Sequence, residues 1–331
     1  MLADSHRGGP IGRTAYLRAV TKQRAFRFGV QEHRATTAQA WREKARLLEA
    51  IGYSTLYLPD HFGDQLGPIA ALMSAADATT RLRVGSLVFD NDYRHPIVLA
   101  KEAATLDLLS DGRLDFGLGA GWLASDYEQT GIPLDPPGTR IERMAEGLQI
   151  IKAFFAGGSV TFKGKHYAVD GVEAVPRPAQ KPHPPIILGG GGRRMLRLAA
   201  READIVSVNY KLTEGRVNRA LIQTGMADAT DEKLGWIREA AGDRVSEIEL
   251  MATVFVANVT DDRESVATAM AAGFGAEPRD VLDMPHFLIG TIEQMVEDLQ
   301  LRRERYGISH FVLPDSAAES LAPVVERLTG T

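Results

Sequence analysis

The chain has 331 residues, and its 38 Lys and Arg stand against 43 Asp and Glu, a formal charge of −5. That mild acidity argues against non-specific nucleic-acid binding, which draws on a basic face. Cysteine is absent from the sequence, which removes disulfides, thiolate nucleophiles and cysteine-held zinc or iron–sulfur sites.

The first 25 residues carry Arg7, Arg13, Arg18, Lys22 and Arg24 but no continuous apolar stretch. Residues 1–25 therefore read as a basic, disordered extension, since a secretory signal needs an apolar core segment. No uncharged apolar run of about 18 residues occurs anywhere, so no membrane span is expected and the cytoplasm is the default location. From Phe26 onward, short β-branched or aromatic runs alternate with amphipathic segments. Strands are predicted over 26–30, 55–59, 83–89, 114–119, 185–188, 204–208, 249–257 and 309–313. Most are near-continuous apolar runs, as parallel strands buried on both faces require. Helices are predicted over 37–50, 67–80, 96–109, 139–155, 193–200, 231–241, 263–272 and 291–306, with a last amphipathic stretch at 317–328.

Eight strands alternating with helices is the count of a (β/α)8 TIM barrel, an α/β fold. Length alone leans toward two domains, but this alternation makes residues 26–331 a single barrel. An open doubly wound sheet would place a glycine-rich phosphate turn after its first strand, where this chain has Val30-Gln31-Glu32-His33-Arg34. Two connections are long enough to be insertions, 119–185 after strand four and 209–246 after strand six. The first contains a hairpin around Val160 to Tyr167. Such insertions at the carboxyl ends of barrel strands build active-site walls.

Chemistry is therefore sought where strands end. Strand five ends in Gly189, Gly190, Gly191 and Gly192, followed by Arg193 and Arg194. Bare glycine backbone leading into a helix N-terminus suits a phosphate or another anion, and arginine adds charge-assisted contacts. The alternative is a flexible turn followed by a solvated basic pair. Strand two ends in Asp60 and His61, the best acid/base pair in the chain; a structural loop histidine stands as the alternative. His95-Pro96 reads as a helix start. Gly117-x-Gly119-x-Gly121-Trp122 fails the dinucleotide fingerprint, which needs glycine where Trp122 stands. No serine elbow, Walker loop or metal-ligand spacing is present.

Further stretches carry a resemblance. They are Ile51-Gly52-Tyr53, Pro59-Asp60-His61-Phe62, Arg94-His95-Pro96, Asp111-Gly112-Arg113 and the Gly117 to Trp122 run. Arg140 and Arg143 with Glu146, Phe162-x-Gly164-x-His166-Tyr167, Pro184-Pro185 and Tyr306-Gly307-Ile308-Ser309 follow. In this order and spacing the chain resembles the bacterial luciferase-like monooxygenase superfamily, and within it the branch using the deazaflavin coenzyme F420. The resemblance spans about Phe26 to Leu328. It implies a barrel that binds a flavin-like ring at its strand ends. Asp60 would contact the cofactor, and His61 would donate a proton or orient the ring. A non-proline cis peptide facing the ring would fall at Ser86-Leu87, and Gly189 to Arg193 would hold the phosphate-bearing tail. Some sugar-phosphate dehydrogenases of the branch carry Glu and Asn where this chain has Trp122 and Ser125. That argues against an identical substrate and gives Trp122 to an apolar wall or a stacking contact. The resemblance implies an F420-dependent oxidoreductase acting on a small organic molecule, as a homodimer. The alternatives are an FMN-dependent monooxygenase using oxygen and a non-catalytic cofactor-binding protein.

Overall fold

Apolar runs bury on both faces as strands, and the amphipathic segments between them pack outside as helices. The computed structural model describes residues 23–212, 215 and 219–331, so most of the expected N-terminal extension lies outside the described residues. The first half runs β1 (Arg27–Gln31), α1 (Ala38–Ile51), β2 (Thr55–Leu58), α2 (Pro68–Ala78), β3 (Arg83–Ser86), β4 (Phe89–Asp90), α3 (Pro96–Leu109) and β5 (Leu114–Gly119). Next come α4 (Ala124–Thr130), α5 (Pro137–Ala156), the hairpin β6 (Ser159–Lys163) and β7 (Ala168–Glu173), β8 (Ile186–Gly190), α6 (Arg193–Glu202) and β9 (Ile205–Val208). The remainder is α7 (Arg219–Gln223), α8 (Ala227–Ala241), β10 (Glu249–Thr253), β11 (Val256–Val259), α9 (Arg263–Phe274), α10 (Pro278–Asp283), β12 (Phe287–Gly290), α11 (Ile292–Tyr306), β13 (Ile308–Pro314) and α12 (Ala322–Leu328).

Strands β1, β2, β3, β5, β8, β9, β10 and β13 pair in parallel in that order, and β13 returns to β1. This is the expected (β/α)8 barrel. Local signals start and stop the helices as the sequence suggests. Thr37 caps α1 by accepting from the Ala40 N–H at 3.0 Å, and Gly52 ends it at φ 102°. The buried face of α1 is Trp41, Ala45 and Leu48, a helical spacing. His95 caps α3, its Nδ1 accepting from the Ile97 N–H at 3.2 Å. No helix among the described residues is long and apolar enough to cross a membrane.

The barrel interior explains two of the glycines. Tyr57 is fully buried among Ile187, Ile205, Met251 and Val312. A Cβ on Gly29 would stand 2.7 Å from its ring, and one on Gly85 would stand 2.8 Å from it. Glycine on both neighbouring strands is what lets a tyrosine fill the middle. Near the strand N-termini, Arg27 and Arg83 converge on buried Asp115, with N–O distances of 2.6 and 2.7 Å. Burial alone would push the Asp115 carboxyl up. The two guanidiniums outweigh it and bring it down to about 2. Charge therefore fills the barrel interior at this end.

Two predicted strands are interrupted. The run over 83–89 breaks at a non-proline cis peptide between Leu87 and Val88, one residue later than the resemblance implied. Gly117 and Gly119 of β5 permit the break, because side chains there would strike the Ser86 carbonyl and, at 2.5 Å, the Val88 side chain. The run over 249–257 breaks after Thr253. The Phe255 N–H leaves the barrel to donate to His286 O at 2.8 Å, and β11 then pairs with β12 in a separate two-stranded parallel sheet. A satellite core of Tyr210, Val281, Met284, Phe287 and Ile289 sits under this sheet. A third insertion, after the seventh strand, thus joins the two that the sequence suggested.

Candidate active site

Leu87 and Val88 line a cavity at the carboxyl ends of the strands. Asp60, His61, Asp90, Trp122, Gly119 and Gly121 line one side; Gly189, Gly190, Gly191, Ser207 and Asn209 line the other, and Arg140 and Met195 contribute from α5 and α6. Ser86 does not reach it. Its side chain is fully buried and its hydroxyl donates to Leu58 O at 3.0 Å. Leu87 and Val88, and not Ser86, line the cavity.

Asp60 and His61 are neighbours in sequence but belong to different networks. Asp60 meets Arg94 through two N–O contacts of 2.7 and 3.1 Å, and its Oδ2 also accepts the Asp90 N–H at 3.0 Å. Its acceptor capacity toward a ligand is thus largely spent on the protein. His61 Nδ1 lies 2.6 Å from Asp126 Oδ2, which also accepts from the Tyr93 hydroxyl at 2.9 Å. Asp126 is buried, so this carboxylate fixes the imidazole and leaves Nε2 for a ligand. The ring stands edge-on to Trp122, 5.8 Å between centroids at 85°.

A second cluster begins at Asp90, the last residue of β4. Its Oδ1 accepts the Asp92 N–H at 2.8 Å, and its Oδ2 lies 3.3 Å from the Tyr127 hydroxyl. Burial pushes this carboxyl up to about 7, and the nearby Asp92 and Asp60 add to the shift. Asp92 is gripped by Arg143 through two bonds of 2.8 Å and also faces the Tyr127 hydroxyl at 3.1 Å. Helix α5 organises this wall along one face. Arg140 donates to Gly121 O, Arg143 holds Asp92, and Glu146 accepts the N–H groups of Lys165, His166 and Tyr167.

The glycine run is divided. Gly189, Gly190 and Gly191 line the cavity. Their lack of side chains is enforced by packing, since a Cβ on Gly189 would stand 2.6 Å from Ser207 Cβ and one on Gly191 would strike the Tyr210 carbonyl. Gly192 caps α6 with no side-chain hydrogen bond, so the helix opens with unshielded N–H groups. Arg193 and Arg194 point outward, to Glu239 at 3.4 Å and Glu142 at 2.8 Å.

The structure thus gathers Asp60, His61, Leu87, Trp122 and three of the four glycines around one cavity, and leaves Ser86, Gly192 and Arg193 outside its lining. Sequence reasoning missed Asp90, Asp92, Tyr93, Asp126 and Tyr127. Asp90 had a signal, since it closes the run after strand three. Asp126 had none, because 65 residues separate it from His61.

The sequence pattern of a family described as luciferase-like monooxygenase matches residues 24–324. An F420-dependent glucose-6-phosphate dehydrogenase of Amycolatopsis mediterranei is 27% identical over 207 residues, covering 60% of this chain and 58% of that protein. An FMNH2-dependent dimethylsulfone monooxygenase of Pseudomonas putida is 27% identical over 168 residues, covering 51% of this chain and 45% of that protein. The chain spans roughly half to two thirds of the length of the curated relatives it matches. Among solved structures, the F420-dependent tetrahydromethanopterin reductase of Methanopyrus kandleri superposes with a TM-score of 0.72 at 18% identity, over 92% of this chain and 98% of that one. At that identity the likeness speaks for the fold.

Proposed function

Because the chain belongs to the luciferase-like monooxygenase family, an oxidoreductase family with deazaflavin- and flavin-dependent members, we propose that it is an F420-dependent oxidoreductase acting on a small organic substrate. The observation that carries this reading is His61. Its ring borders the cavity, its Nδ1 is held by a buried carboxylate, and Asp60 beside it is anchored to Arg94.

The cavity walls fit a flat ring with a phosphate-bearing tail. Gly119, Gly121 and the 189–191 run bring bare backbone to the cavity wall, Leu87 and Val88 offer an apolar platform, and α6 opens beside the glycines. Gly189, Gly190, Gly191 and the first N–H groups of α6 would take the tail. When bound, the deazaflavin supplies hydride exchange with the substrate. The protein's part is to orient and to move protons. His61 gives or takes a proton at Nε2, and Asp126 with Tyr93 keeps the imidazole in place as it does so. Trp122 closes the cavity beside His61 with an apolar face that excludes water and offers a stacking surface.

The competing reading is a monooxygenase using reduced FMN and oxygen, favoured by the FMNH2-dependent relative. Titrating the purified protein with F420 and with FMN, followed by fluorescence quenching, separates them. Saturable F420 binding with weaker FMN binding is expected. Tight FMN binding with no response to F420 overturns the reading. Binding of either without turnover across a substrate panel would leave a cofactor-binding protein instead.

A further inference from the structure

The Tyr127 hydroxyl faces more acceptors than it can donate to. The hydroxyl has one proton to donate, and it sits between two carboxyl groups, 3.3 Å from Asp90 Oδ2 and 3.1 Å from Asp92 Oδ2. Asp92 is matched in charge by the fork of Arg143. Asp90 is buried and forms no ion pair with any described Lys, Arg or His. The arginines of this wall are committed elsewhere, Arg94 to Asp60, Arg143 to Asp92 and Arg140 to the Gly121 carbonyl. If the Tyr127 proton points to Asp92, a bare Asp90 carboxylate would face the lone pairs of the Tyr127 oxygen. A proton on Asp90 resolves the conflict, because the carboxyl O–H then donates to the Tyr127 oxygen and Tyr127 donates to Asp92.

We propose that Asp90 is a second acid of this site, a protonated carboxyl in the cavity wall that exchanges its proton with an oxygen or nitrogen atom of the bound ligand, separately from His61. In the step, the Asp90 O–H bond breaks and an O–H or N–H bond forms on the ligand. The carboxylate left behind is met by the Tyr127 hydroxyl, which turns from Asp92 to Asp90 while Arg143 keeps Asp92 matched. The proton returns from water that enters the cavity after the ligand leaves. The groups facing Asp90 are Asp60 after β2, Asp92, Tyr93 and Arg94 after β4, Tyr127 on α4, and Arg140 on α5, whose guanidinium lies over the Tyr127 ring. Of these side chains, only the Tyr127 hydroxyl lies within hydrogen-bond distance of an Asp90 carboxyl oxygen, and a hydroxyl can either donate to it or accept from it. Burial raises the affinity of Asp90 for its proton in the same direction as the geometry.

The test is made first on the protein without cofactor or substrate, so it does not depend on the F420 reading. With aspartate carboxyl carbons labelled with carbon-13, one resonance should titrate near pH 7 in the native protein and vanish in Asp90→Asn. Asparagine keeps a donor toward the Tyr127 oxygen and so preserves the local hydrogen bonds. A spectrum in which every aspartate completes its titration below about pH 5 overturns the proposal, as does a neutral-range resonance that survives in Asp90→Asn. Tyr127→Phe removes the partner of both states and should move the midpoint of that resonance; an unmoved midpoint overturns the relay through Tyr127. In turnover, Asp90→Asn should remove one ionisation from the pH–rate profile, distinct from the one lost in His61→Ala, and lower kcat by about 10-fold or more. A profile superimposable on that of the native enzyme overturns the catalytic assignment.

Discussion

At the scale of single residues, the site is built from carboxylates that are each assigned a different partner. Asp60 belongs to Arg94, Asp92 to Arg143 and Asp126 to His61, which leaves Asp90 as the member without a cation. His61→Ala should cut turnover by about 10²–10⁴-fold, the range for loss of a general acid or base; unchanged turnover with cofactor binding intact would remove His61 from the mechanism. Asp126→Asn should lower kcat while leaving cofactor affinity in place, because Asp126 acts through the imidazole. Equal losses in binding and in kcat would show it to be a structural prop for the cavity. Asp90 also makes a prediction about stability. Its carboxyl is raised from 3.8 to about 7 in the folded protein, so over that interval the native state holds a proton that the unfolded chain has lost. Its contribution is fully present below about pH 4 and is lost as pH rises to about 7, at most about 4 kcal/mol for a shift of this size. Urea midpoints at pH 4.5 and pH 8 should converge in Asp90→Asn relative to the native protein. An unchanged pH slope in the variant would mean that Asp90 does not titrate in this range.

At the scale of elements, helices and strand positions were legible because their signals are local. Thr37 and Gly52 bracket α1, His95-Pro96 opens α3, and apolar runs mark all eight barrel strands. Of the interruptions, the one after strand three was implied only by the resemblance, one residue early, and the one at Phe255 not at all, since distant backbone makes them. His286 O draws Phe255 out of the barrel, and Leu58 O holds the Leu87 N–H at 2.8 Å beside the cis peptide. The same limit applies to the site. Asp60-His61 and the glycine run could be read from their neighbours, whereas the carboxylate that orients His61 comes from α4, an element with no amphipathic signal. That short helix is set by Gly121, which sits at φ 71° with its carbonyl bound by Arg140. A Cβ there would strike the Tyr127 hydroxyl and stand 2.5 Å from Asp90 Oδ2. Gly121→Ala should therefore displace α4, cost about 1–3 kcal/mol and weaken cofactor binding at least 10-fold. Gly131→Ala is the matched control. It has a similar φ of 74° at the other end of α4 but open space around the added Cβ, so only backbone strain should appear, with cofactor affinity retained. Equal binding losses in the two variants would show that φ alone, and not the collision, matters.

At the scale of the whole molecule, the barrel separates stability from chemistry along its axis. The charged plug of Arg27, Arg83 and Asp115 closes the amino-terminal end, Tyr57 fills the middle between Gly29 and Gly85, and the cavity opens only beyond Leu87 and Val88. Asp115 is fully buried, and its folded value of about 2 lies below the 3.8 of an ordinary aspartate. Its contribution is thus present above about pH 4 and drains away as pH falls toward 2, about 2.5 kcal/mol over the window. Asp115→Asn should do more damage than that figure, because it strips the carboxylate from two part-buried guanidiniums; breaking such a cluster costs about 3–5 kcal/mol. Urea unfolding at pH 7 should register that loss, and the variant should no longer destabilise further between pH 4 and pH 2 through this group. The folded fraction should still bind its cofactor with native affinity, since the plug and the cavity share no residue. One route could connect them. The Tyr57 hydroxyl is 3.1 Å from Asp115 Oδ2, and the Tyr57 ring packs against Gly85, two residues before Leu87. If affinity falls in Asp115→Asn under conditions where the protein is fully folded, Tyr57 transmits the state of the plug to the cavity wall; Tyr57→Phe, which removes the hydroxyl's contacts with Asp115 and, at 3.5 Å, with His310 Nε2, should then reproduce the loss of affinity without the full loss of stability.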